Sequence, residues 1–172
     1  MCINKSQTQK HLDFSEKEIT KYLKKVKKHV NNNKYSISKN ENRKKNIKFI
    51  EDYKINTKKE KDILLSIEHK DFCYAVDNKK EAFSHETLYI FCIQRELDFW
   101  GSLKLVDIYI KINMTNTARG SFMYIVSFHK RKKPIKYLFR NKEQRTHPFF
   151  KWVMNMLGFD FVIPYVTSTT SY

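Results

Sequence analysis

Leu105-Val-Asp-Ile-Tyr-Ile-Lys-Ile-Asn-Met114 and, after a short break, Ser121-Phe-Met-Tyr-Ile-Val-Ser-Phe-His-Lys130 decide how this chain is read. In the first run Val106, Ile108, Ile110, Ile112 and Met114 fall on one side of an extended strand, because side chains alternate with period two. Asp107, Tyr109, Lys111 and Asn113 fall on the other. One side builds a core and the other is free for chemistry. The second run ends in His129 beside Lys130, Arg131, Lys132 and Lys133, so an imidazole, a phenol and several cations are expected to converge on one sheet surface.

The break between the runs, Thr115 to Gly120, is short enough for an antiparallel hairpin; a parallel crossover needs a dozen residues or more. Two earlier runs, Asp71 to Val76 and Leu88 to Leu97, also look extended, and Pro134 to Arg140 is a candidate fifth strand. Upstream the period is helical. Ser15 and Glu18 form a capping-box pattern with Phe14 packing on Ile19, and Ile19, Tyr22, Leu23, Val26 and Val30 supply an apolar stripe. The lysines at 21, 24, 25, 27 and 28 lie mostly off that stripe and read as a solvated face. Asn31-Asn32-Asn33 ends the helix, and Lys34 to Lys39 reads as a short extended segment. A second helix is expected near Asn42 to Lys54, burying Ile47, Ile50 and Tyr53. Thr57-Lys58-Lys59-Glu60 repeats the capping pattern and starts a third helix with Ile63, Leu64 and Ile67.

Helices followed by a meander of strands predict an α+β domain, with helices on one face of an antiparallel sheet of four to five strands and the other face open. The expected division is a polar, disordered segment at 1–12, the domain at 13–140, and at 141–172 a C-terminal helix and apolar tail packed on the same domain. That helix starts at Thr146 and Pro148, carries Phe149, Trp152, Val153, Met156 and Leu157 on one side, and stops at Gly158.

Composition narrows the partners. Lys and Arg number 34 against 18 Asp and Glu, a formal net charge of +16. Such a field attracts polyanions, nucleic acid first among them. AT-rich codon bias raises Lys, Asn and Ile, but it raises Glu about as readily and leaves the imbalance unexplained. Cys2, Cys73 and Cys92 lack the paired spacings of a zinc site and suggest a reduced, cytoplasmic protein. Neither a leader-like N-terminus nor an apolar run of membrane-spanning length is present, so no membrane partner is expected.

The block Asp71-Phe72-Cys73-Tyr74, then Ile108-Tyr109-Ile110-Lys111-Ile112, then Ile125-Val126-Ser127-Phe128-His129 resembles, in order and spacing, the MqsR family of toxins from toxin-antitoxin systems. The likeness spans about residues 18 to 140. It implies a RelE-like fold, an endoribonuclease that cleaves mRNA, and a cognate antitoxin protein as partner. Tyr109 matches the family tyrosine, and Gln94 falls where the family has a glutamine-containing segment. His129 stands where the family commonly has lysine. Tyr74 replaces a family lysine, which leaves the phosphate-binding cation to Lys111, Arg95 or Lys79.

RNA carries its own nucleophile, so the protein need only take the 2′-hydroxyl proton, stabilise the phosphorane and protonate the leaving 5′-oxygen. Histidine titrates near neutrality and serves as acid or base, which makes His129 the first candidate. Lys111 or Arg95 would stabilise developing charge. Tyr109 would hydrogen-bond phosphate or stack on a splayed base, and Gln94 would orient the substrate or read a base edge. Tyr74, Lys79, Arg95, Lys130 and Arg131 are the candidate RNA contacts. The substrate is expected to be single-stranded RNA, with no metal or cofactor required.

Each residue also has a plainer reading. A histidine at a strand end is commonly a turn residue, Tyr109 simply covers a sheet, and Lys111 is merely solvated. Glu96 and Asp98 are available for a metal nuclease, but nothing else completes such a site. The competing functions are a noncatalytic RNA-binding module on the same basic face and a protein-interaction domain using the aromatic C-terminal segment.

Overall fold

A computed structural model describes residues 9–140 of the chain, other than Lys80 and Arg119. The two runs quoted above form its centre. The strand β4 (Ser102–Thr117) pairs antiparallel with β5 (Gly120–Lys130) on one side and with β3 (Thr87–Phe99) on the other. The β3–β4 connection is tighter than the sequence suggests. Trp100 and Gly101 alone make the turn, both at positive φ (53° and 86°), and the Asp98 side chain accepts the Gly101 N–H at 2.7 Å. Positive φ at both positions matches the right-handed twist of the flanking strands. Trp-Gly lacks the usual Asn or Asp and so does not mark the turn in the sequence; with only these two residues in it, both strands run past their expected ends and stay paired up to Phe99 and Ser102.

The strand β2 (Phe72–Asp77) lies antiparallel to β3, as its pattern predicts. The fifth strand is not Pro134 to Arg140. It is β1 (Tyr35–Ile37), paired parallel to β5 at the opposite edge, and the sheet is therefore mixed, in the order β1-β5-β4-β3-β2. Pro134 has no N–H to give a ladder. Residues 131–139 instead leave β5 and cross the face expected to be open. Ile135 and Tyr137 pack there over Cys92 and its neighbours, and the Leu138 N–H reaches the Phe72 carbonyl at 3.0 Å.

Three helices cover the other face: α1 (Glu16–Asn31), α2 (Lys44–Asp52) and α3 (Thr57–Leu65). The capping box at Ser15 and Glu18 forms as expected. Ile19, Leu23, Val26 and Val30 of α1 are buried against Ile108, Ile110 and Ile112, with Phe72, Phe91 and Phe128 beside them. α2 is turned from its expected phase. It buries Asn46 and Phe49, with Tyr53 just beyond, and leaves Ile47 and Ile50 only half-buried. The N-terminal segment expected to be disordered is fixed from His11, which exchanges two backbone hydrogen bonds with Ala75 (2.9 and 3.0 Å) and reaches Asp77 with its ring. Together with Leu138 it covers the outer edge of β2, where unpaired backbone groups would otherwise invite another strand. The expected C-terminal helix and apolar tail lie outside the described residues.

Among the described residues no helix is long and apolar enough to cross a membrane. Ile110 sits wholly buried at the centre of the sheet. Ile110→Ala is expected to cost about 2–5 kcal/mol, transfer and cavity together, read as a lower urea midpoint at unchanged m-value. A loss well under about 1 kcal/mol would remove Ile110 from the core.

Candidate nucleic-acid site on the exposed sheet face

β4 sets the site. Asp107, Tyr109, Lys111 and Asn113 project from the face away from the helices, as alternation predicts, because their even-numbered neighbours are buried against α1. β5 does not alternate so simply. Met123 and Ile125 face the core, and strict alternation would send His129 there too. A bulge intervenes: Lys111 pairs with Ser127 and Ile112 with Ile125, leaving Val126 as the extra residue. One added residue exchanges the two faces of the strand beyond it. Phe128 therefore fills the core, and His129 emerges opposite Tyr109.

The two rings stack, with centroids 5.3 Å apart and planes 18° from parallel. His129 Nδ1 lies 3.0 Å from the Lys130 carbonyl, which only accepts, so Nδ1 carries the proton and Nε2 offers its lone pair. Burial pushes the His129 pKa down. The Lys130 carbonyl opposes this, and the charges of Lys45, Lys132 and Arg43 reinforce it. Burial pushes the Tyr109 phenol far up, and a hydrogen bond with the Tyr74 hydroxyl adds to the shift. The pair is therefore a neutral imidazole against a phenol that keeps its proton.

Where the crossing segment leaves the face uncovered, a cleft of about 1070 Å³ remains. Tyr109, Tyr74, Lys111, Lys79, Arg43 and Lys10 are among its walls. The Lys10 ammonium sits 4.4 Å over the Tyr74 ring. Among the described residues, Arg43, Lys79 and Lys111 have no carboxylate within ion-pair distance. Burial lowers the Lys111 pKa, and the repulsion of Arg43 and Lys79 lowers it further. At the floor, Glu86 accepts from Asn78 (3.0 Å) and Asn113 (2.6 Å). Burial pushes its carboxyl up, but hydrogen bonds from Thr115, Asn113 and Asn78 outweigh that and hold it below the usual range. Phe83 and Tyr124, both exposed, stand among the lining residues.

Of the candidate residues, His129, Tyr109 and Lys111 come together on this face, and Tyr74 and Lys79 join them. The others do not. Arg95 lies on the helix side, where its guanidinium holds Ser66 Oγ at 3.1 Å and the Ser66 carbonyl at the end of α3. Lys130 pairs with Ile108 and so also leaves the open face. Gln94 donates to Asp107 Oδ1 at 3.1 Å, and Arg131 forms an ion pair with the other Asp107 oxygen. Both are spent in anchoring the crossing segment. Glu96 and Asp98 find no third ligand; no group of three or more His, Cys, Asp or Glu gathers among the described residues. Sequence reasoning missed Arg43, Lys10 and Glu86, which loops bring in from distant positions, though Asn113 was visible in the alternation of β4.

The depressed His129 pKa carries a sign for stability. In the window between the folded value and the unfolded one near 6.5, the native state binds fewer protons than the unfolded chain. This contribution is whole above the unfolded pKa and is lost as pH falls through the folded one. Urea midpoints measured from about pH 7.5 to about pH 5 should therefore fall less steeply in His129→Gln than in the parent. An unchanged slope would leave His129 unperturbed. No protein-family model, curated protein or solved structure matches the chain.

Proposed function

We propose that the chain is a cytoplasmic toxin of a toxin-antitoxin system, with a RelE-like fold, that cleaves single-stranded mRNA without a metal ion. The observation that carries this reading is the His129–Tyr109 stack, whose tyrosine lines a cleft that also holds Arg43, Lys79 and Lys111, three cations with no carboxylate within ion-pair distance among the described residues. A phosphodiester supplies the missing negative charge. A neutral imidazole with a free Nε2 is suited to take the 2′-hydroxyl proton. The 2′-oxygen then attacks phosphorus, and the bond to the 5′-oxygen breaks. Tyr109, held protonated, donates to a phosphoryl oxygen of the phosphorane. Lys111, whose proton is loosened by burial and like charge, protonates the departing 5′-oxygen. The products are a 2′,3′-cyclic phosphate and a 5′-hydroxyl, and His129 and Lys111 end in protonation states opposite to those in which they began.

Exposed Phe83 and Tyr124 offer stacking surfaces for unpaired bases beside the cations, the combination single-stranded RNA calls for. An antitoxin would restrain the activity by covering this cleft or by distorting it. The same aromatic and cationic surface also suits a noncatalytic RNA-binding module.

Incubating purified protein with a long unstructured RNA in EDTA separates the two. Cleavage is expected, with 2′,3′-cyclic ends. His129→Ala should lower the rate about 10²- to 10⁴-fold, the usual worth of a positioned acid or base. Tyr109→Phe should keep RNA affinity and lose rate. Intact RNA with salt-dependent binding would leave the noncatalytic module; full cleavage by both variants would overturn the mechanism. For binding itself, Lys79→Ala should reduce the slope of log affinity against log salt by about 0.7, one phosphate contact on a single strand. An unchanged slope would take Lys79 off the RNA path.

A further inference from the structure

We infer that Asn46, a residue of α2 on the helix side of the sheet, positions His129 by holding the β5 bulge in place. The inference rests on the reading of His129 as the base. Asn46 is almost wholly buried, at 1% exposure, on a helix that should have presented apolar side chains to the sheet. Its amide makes three hydrogen bonds. Nδ2 donates to the Ser38 carbonyl at 2.8 Å and to the Val126 carbonyl at 3.3 Å, and Oδ1 accepts the Phe128 N–H at 2.9 Å. Those partners bracket the bulge.

The site is where β5 runs out of neighbours. β1 pairs with β5 only from Tyr35 to Ile37, and the Ser38 N–H closes the ladder on the Ile125 carbonyl at 3.0 Å. Beyond Ile125 no strand among the described residues lies beside the outer edge of β5. Asn46 takes the strand's place, supplying a donor and an acceptor at the spacing that two bulged residues present. A buried backbone group without a partner is costly, so the amide favours the bulged register over the regular one. In the regular register residue 129 would face α2 and Phe128 the cleft. Asn46 is absent from the walls of the cleft, although its partners Ser38 and Val126 stand among them. It acts on the imidazole only through backbone.

The test is whether Asn46 controls the contact between the His129 and Tyr109 rings. In the parent protein the His129 ring protons should be shifted by the Tyr109 ring current and show cross-relaxation with it, and Tyr109→Leu should remove both. Asn46→Ala, folded by far-UV circular dichroism, should move the His129 signals to their positions in Tyr109→Leu. On RNA it should lose kcat at least tenfold with KM within twofold, because the phosphate-binding cations stay in place. Unmoved His129 signals in folded Asn46→Ala would overturn the inference. If that variant does not fold, the parent decides: the Phe128 amide must exchange slowly and show cross-relaxation with the Asn46 side-chain amide, and its absence overturns the inference equally. A parent that leaves RNA intact would refute the ribonuclease reading while the ring contact still reports on Asn46.

Discussion

The hydrogen bonds from Asn46 to Ser38, Val126 and Phe128 hold one extra residue in β5, and the facing of everything beyond it depends on that residue. Upstream, Met123 and Ile125 point to the helices; downstream, Phe128 does. The exchange serves core and cleft at once. Phe128 reaches Phe49 of α2 edge-on at 5.6 Å, while the imidazole of the next residue turns to the opposite side. A regular strand would bury a histidine among isoleucines and expose a phenylalanine to water. The hydrophobic gain from Phe128, about 1.5–3 kcal/mol for full burial of such a side chain, works in the same direction as the amide. Local polar satisfaction and core packing thus agree on the bulged register, the consistency that gives a sequence one native answer.

How much of this was legible follows from where each determinant lies in sequence. β4 reads itself: five apolar residues alternate with Asp107, Tyr109, Lys111 and Asn113, and the observed faces follow that pattern. The capping box and the stripe of α1 are equally local, but the box expected at Thr57 and Glu60 does not form: Asn56, one residue earlier, caps α3 by accepting the Lys59 N–H at 2.9 Å. What escaped was long-range. Nothing within Ser121 to Lys130 marks Val126 as an extra residue, because the partner that demands it is Asn46. For the same reason α2 was turned: Ile47 and Ile50 are the obvious apolar pair, and only the exposed carbonyls of β5 make Asn46 the better residue to bury. Arg95 shows the opposite failure. Its parity within β3 puts it beside Ile93 and Leu97 on the helix side, so alternation alone could have excluded it. Pro134 already argued against a strand there, yet the edge that β1 occupies could be known only from the parallel pairing.

The cleft is expensive to the fold. Arg43 and Lys79 repel the half-buried Lys111, and none of the three has a carboxylate within ion-pair distance among the described residues. Glu86, at the floor, accepts from both Asn78 and Asn113 at its Oε2. Some cations elsewhere are paired, as Lys39 with Glu60 and Lys48 with Asp52. Repulsion of this kind is retained where a bound anion relieves it, and such sites are where perturbed titrating groups collect. Each shift here has the sign its proposed role needs. The imidazole is made a neutral base, the phenol a fixed donor, and the lysine a readier acid.

A division along β4 ties the covered and uncovered halves of the face together. At the Asp107 end the charge is closed off: Gln94 and Arg131 satisfy both carboxylate oxygens, and the chain from Arg131 to Leu138 lies across the sheet. At the Lys111 end the charge is open. Tyr109 stands between, two residues from each, with His129 stacked on it. The face therefore changes from neutralised to cationic over about four residues of strand, roughly 13 Å at 3.3 Å per residue. RNA bound as proposed would occupy the open end beside Arg43, Lys79 and Lys111, bounded by the crossing segment, with its innermost phosphate beside Lys111 and Tyr109. Under the proposed reading, the ion pair between Arg131 and Asp107 is thus part of the site without touching substrate, because it fixes the wall that decides which phosphodiester lies beside His129.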